Sequence, residues 1–84
     1  MKLPPDVEPA WREICRVALT GNDQAISQQR CGICGGPLHI VFTPGSRAAL
    51  DIHCTTCHSG TRIEGEFPAP LWVELLGLEV TTPS

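Results

Sequence analysis

Residues 31 to 57 read "CGICGGPLHIVFTPGSRAALDIHCTTC", a stretch that begins and ends on a C-x-x-C pair. Nineteen residues, 35 to 53, separate the pairs. That distance falls within the C-x₂-C-x₁₅₋₂₀-C-x₂-C pattern of a four-cysteine zinc site. The intervening sequence explains why the spacing works. "LHIVFT" (38–43) and "ALDIHC" (49–54) are short runs rich in β-branched and aromatic residues, and "PGSRA" supplies the proline and glycine of a turn. A hairpin therefore brings the two C-x-x-C turns together. Each turn aims two thiolates to one side, and four such sulfurs define a tetrahedron with Zn–S near about 2.3 Å. Gly35, just past the second cysteine of its pair, suits a turn that needs positive φ; His58 holds the matching place in the other pair. Four unrelated buried thiols would have no reason to be spaced this way.

Two such knuckles across a hairpin, with a third strand-like run "GTRIEGEF" (60–67) after the second, resemble the zinc ribbon fold group. The resemblance spans roughly residues 31–67 and implies that Cys31, Cys34, Cys54 and Cys57 bind zinc. It carries a fold and a metal site, not an activity. Zinc ribbons recur in transcription factors, polymerase subunits, ribosomal proteins and adaptors. The acidic pair of transcript-cleavage ribbons has no counterpart here, because the hairpin tip "TPGSRAAL" lacks a carboxylate.

Two other metals compete for these cysteines. Cys54-Thr-Thr-Cys57-His58 also spells the C-x-x-C-H of covalent haem attachment. Haem attachment needs export, however, and "MKLPPDVEPAW" has no apolar leader core; Met1 is the sole methionine for a second axial bond, and "CGIC" would be left without a purpose. Iron held by four sulfurs, as in rubredoxins, is the nearer rival. Those chains generally follow both knuckles with glycine and have an aromatic-rich core, whereas this one has "CHSG" and no tyrosine.

The chain has 84 residues, which is one small domain, 1–84, that needs a metal, a disulfide or a partner to hold a single structure. Five cysteines, an odd number, argue against a closed disulfide framework. The absence of a leader or a long apolar run points to a cytoplasmic chain with no membrane span, where paired cysteines more often mean metal. A net charge of −3 with six scattered basic residues argues against binding nucleic acid by phosphate neutralisation.

Helical segments flank the ribbon. Residues 6–29 form the first, with a helix from about Glu8 to Leu19. Asp6 or Glu8 sits near its N-terminal dipole, Pro9 is tolerated in the first turn, and Gly21-Asn22 stops it as a helix C-cap does. Val7, Trp11, Ile14, Cys15 and Ala18 make one apolar stripe, with Cys15 a small buried hydrophobe. "NDQAISQQR" allows a short polar helix. At the other end, "PLWVELLGLEV" (70–80) reads as an apolar helix that begins at a proline. Leu71, Trp72, Val73, Leu75, Leu76, Leu78 and Val80 lie on more than one face of it, so one face should pack near Trp11 and Ile14 and another should remain as an interface. The fold class is thus a small metal-stabilised α+β domain: a zinc ribbon hairpin plus a third strand, flanked by an N-terminal and a short C-terminal helix.

No nucleophile–base set, phosphate loop or carboxylate pair stands out, and four thiolates leave a zinc ion no open position for catalysis. The sequence therefore points to a non-enzymatic interaction module or adaptor. Its partner, or a second copy in a homodimer, would meet the C-terminal helix through Trp72 as anchor with Leu75 and Leu76. The alternative is a nucleic-acid-associated regulator that uses Arg47 and Arg62 on the ribbon face. His39 and His53 are equidistant from Ser46, so a symmetric hairpin sets them opposite each other, either as an ordinary solvent-facing pair or as a second metal or proton site. His58 is surplus to a four-sulfur shell and belongs on the surface or just behind the ligands.

Overall fold

In a computed structural model describing residues 7–82, the hairpin is the centre of a four-stranded antiparallel sheet. Asp6, expected near the first helix, and the proline-rich start of the chain lie outside the described residues. Strand β1 (Leu38–Thr43) pairs with β2 (Ala48–Cys54) in the register His39↔His53 and Val41↔Asp51, the symmetric arrangement about Ser46. Strand β3 (Gly60–Gly65) continues from β2 on the outer side. Alternation decides the two faces of the sheet. Leu38, Ile40 and Phe42 of β1, Leu50 and Ile52 of β2, and Ile63 of β3 are buried on one side; His39, Asp51, His53 and Arg62 face the other.

Helices cover the buried face. Helix α1 (Pro9–Thr20) buries Trp11, Ile14, Cys15 and Ala18, the stripe read from the sequence, in one core with the inward strand residues, Ile26 and Trp72. Pro9 at its first position costs no hydrogen bond, since that N–H would be free in any case. The stop at Gly21 differs in mechanism from the expected C-cap. Gly21 is extended, not left-handed, and its N–H donates to Val17 O at 2.7 Å. Asn22 then starts helix α2 (Asp23–Ser27), its side-chain oxygen accepting from Ala25 N at 2.9 Å.

The C-terminal stretch departs from the sequence reading. Helix α3 ends after six residues (Leu71–Leu76), where Gly77 takes φ 85° and donates its N–H to Val73 O. Residues 79–80, expected to be helical, instead belong to strand β4 (Glu79–Thr81), which pairs with β1 and gives the order β3-β2-β1-β4. Backbone competition explains the switch. The outer edge of β1 would otherwise carry unpaired N–H and C=O groups, and Leu78 O and Thr82 N satisfy the groups of Phe42 and Leu38 at 2.8 Å each. Thr82 completes the seam, its Oγ1 accepting from Leu38 N at 2.8 Å. Helix α3 also meets α1 one turn beyond the expected place, at Ala18, and lies against α2.

Candidate metal centre

The metal centre sits at the end of the hairpin away from its turn. Cys54 is the last residue of β2, and register puts it opposite Leu38, just past the first knuckle. The Sγ atoms of Cys31, Cys34, Cys54 and Cys57 all lie within 4.8 Å of one another. Across the knuckles, Cys31 and Cys57 are 3.7 Å apart and Cys34 and Cys54 3.4 Å. Both separations exceed the roughly 2.05 Å of a disulfide. They approach the roughly 3.8 Å edge of a tetrahedron with metal–sulfur bonds of about 2.3 Å. All four sequence-predicted ligands are therefore together and positioned to bind one metal ion.

The two knuckles repeat one backbone pattern. Cys31 Sγ accepts from the N–H groups of Ile33 and Cys34, and Cys54 Sγ from those of Thr56 and Cys57, at 3.3 to 3.4 Å. Gly35 N donates to Cys31 O and His58 N to Cys54 O, while Cys31 N and Cys54 N donate to Gly36 O and Ser59 O. Closing that loop requires a left-handed residue after the second cysteine. Gly35 takes φ 76° and His58 φ 64°; among the described residues His58 is the sole non-glycine at positive φ. His58 is exposed, so it fills a backbone role in the knuckle.

Electrostatics matches a site built for a cation. The N–H groups of Cys57 and, less strongly, Thr56 pull the Cys54 thiol down to about 6, and the N–H and hydroxyl of Ser59 lower Cys57. Cys34 moves the other way. Gly36 N–H favours its thiolate, but Cys54, burial, Cys57 and Cys31 together push it up to about 12. Four sulfurs this close cannot all carry negative charge unless a cation compensates them. Ser59, whose side chain also contributes, is singled out by no cysteine pattern. Its signal was its place, matching Gly36 in the other knuckle. The fifth cysteine, Cys15, is fully buried in α1, and burial pushes its thiol up to about 11.

The other candidates divide. Trp72, expected as the exposed anchor of an interface, is fully buried; its Nε1–H donates to Ala18 O at 2.7 Å, so it is a core residue. Leu75 and Leu76 are 70% and 39% exposed, as are Leu71 and Leu78 to a similar degree. Arg62 lies on the outer sheet face in ion pairs with Asp51 and Glu64, and Arg47 also approaches Glu64, so neither guanidinium faces solvent without a counter-charge. Among the described residues no helix is long and apolar enough to cross a membrane. No protein-family profile, curated protein or solved structure matches the chain.

Proposed function

We propose that this protein is a zinc-ribbon-like interaction module, in which a structural zinc ion held by Cys31, Cys34, Cys54 and Cys57 stabilises a domain whose C-terminal helix and the turn after it present leucines to a protein partner or a second copy. The donor set fits zinc: four thiolates in a tetrahedron suit an ion with no redox chemistry and no preferred distortion. The same four ligands close its coordination shell, so the role assigned is structural and not catalytic. A knuckle with His58 where iron–sulfur knuckles generally carry glycine supports zinc over iron.

The observation that carries the interaction reading is the chain from α3 to β4. Trp72 is sunk into the core while Leu71, Leu75, Leu76 and Leu78 remain exposed within eight positions, 71 to 78. Four exposed leucines in so short a segment favour a protein contact over a purely solvated surface. The nucleic-acid alternative gains no support, since Arg47 and Arg62 are matched with Glu64 and Asp51.

Light scattering on the zinc-loaded protein, with Leu75→Asp and Leu76→Asp beside it, tests the reading. Self-association that both variants abolish, with metal and melting transition retained, supports it. A strictly monomeric protein whose two aspartate variants unfold would place these leucines in the core and overturn it.

A further inference from the structure

The outer face of the sheet carries a second group of metal-ligating side chains, separate from the four cysteines. His39 of β1 and His53 of β2 are direct cross-strand partners. Their ring centroids are 4.9 Å apart and the ring planes stand at 78°. On the opposite flank of His39, its Nε2 is 2.7 Å from Glu79 Oε1 of β4. A carboxylate oxygen accepts this hydrogen bond, so in the neutral, metal-binding form of the His39 ring the hydrogen lies on Nε2 and the lone pair on Nδ1.

We propose that His39 and His53 form a second, exchangeable site for a divalent transition metal, with His39 binding through Nδ1 and Glu79 as its positioning residue. Three features support this. Imidazole nitrogen suits zinc, copper and nickel ions, and strand register already holds two imidazoles side by side, so little order has to be imposed on binding. A carboxylate on the second ring nitrogen is the usual companion of a metal-bound histidine, fixing its tautomer and raising its basicity. The rings are also accessible, since His53 is exposed and the His39 side chain is 25% exposed. Cys54 follows His53 directly but points to the other face of the strand and is buried. The two sites therefore share no ligand. Two neutral nitrogens completed by water hold a cation far less firmly than four thiolates, which makes the outer site the one that exchanges.

Titration calorimetry of nickel chloride into the tag-free, zinc-loaded protein tests the proposal, with zinc release followed by a chromogenic chelator. The expected result is one nickel ion per chain with no zinc released. His53→Asn and His39→Asn each lose it, and Glu79→Gln weakens it by about tenfold or more. His58→Asn keeps it, although His58 lines the same shallow depression as His53. His53→Asn should melt like the parent, because its side chain is exposed. No nickel uptake, uptake matched by zinc release, or unchanged binding by His53→Asn would each overturn the site. Unchanged binding by Glu79→Gln would remove Glu79 from it.

Discussion

Replacing Trp72 with phenylalanine tests how the C-terminal segment is built into the molecule. Trp72 Nε1–H donates to the carbonyl of Ala18, which lies in the last turn of α1, where helix carbonyls have no partner of their own. Phenylalanine keeps most of the ring but removes the donor. A buried carbonyl left unpaired costs about 1–3 kcal/mol. The void left by the smaller ring adds roughly 1 kcal/mol, at about 24 cal/mol per Å³ of residual cavity. For a domain of this size each kcal/mol moves Tm by about 4–8 °C, so a loss of about 2–4 kcal/mol should lower the melting point of Trp72→Phe by about 8–32 °C. Trp72→Ala, at roughly 3–5 kcal/mol for the side chain plus the orphaned carbonyl, approaches the entire stability of a small domain. The assay is a circular-dichroism melt at fixed free zinc, because ligand binding alone shifts the transition. A Trp72→Phe protein that melts within about 2 °C of the parent, or that changes mass and not Tm, would refute the core assignment.

Substitutions at Thr82 and His58 and chemical labelling of Cys15 probe other parts of the fold. Thr82→Val keeps the shape but leaves Leu38 N without its acceptor, so it should cost about 1–3 kcal/mol in the same melt, and a neutral result would mean that the β1–β4 seam contributes little. At the left-handed position after Cys57, His58→Gly should be neutral or slightly stabilising while β-branched His58→Val costs about 1–3 kcal/mol; equal melting of the two would contradict the knuckle geometry. Cys15, its thiol pushed up to about 11 by burial, stays protonated at pH 8 and should resist alkylation until the protein unfolds; mass spectrometry showing it labelled in the native state would contradict its place in the core.

The parts of this fold that were legible in the sequence are those set by local period or by symmetry. The strand-like runs 38–43 and 49–54, placed symmetrically about Ser46, foretold His39 opposite His53, and cysteine spacing foretold which four sulfurs meet. The α1 stripe followed from spacings of three and four. What failed was the C-terminal stretch, and the reason is physical. "LLGLEV" is apolar at nearly every position, so neither a helical nor a strand period stands out. The deciding contacts are long-range, joining His39 to Thr81 and Leu38 to Thr82. Gly77 followed by the alternation Leu78-Glu79-Val80-Thr81 was the available signal, three strand residues being too few for a confident pattern. Apolar content likewise could not say that Trp72 turns inward and Leu75 outward; that depends on where α1 presents an unpaired carbonyl.

One zinc ion, held by Cys31, Cys34, Cys54 and Cys57, is proposed to organise the domain. Structural zinc contributes on the order of 10 kcal/mol in small domains, more than a core of this size supplies. Native mass spectrometry of untagged protein, purified with no metal added and then exposed to a strong chelator, tests it most directly. The expected result is one zinc per chain before treatment, and after it a metal-free chain whose charge-state distribution has widened to that of an unfolded polypeptide. A chain that carries iron in its place, that arrives metal-free with its cysteines joined as disulfides, or that keeps a compact distribution after losing the metal would contradict it.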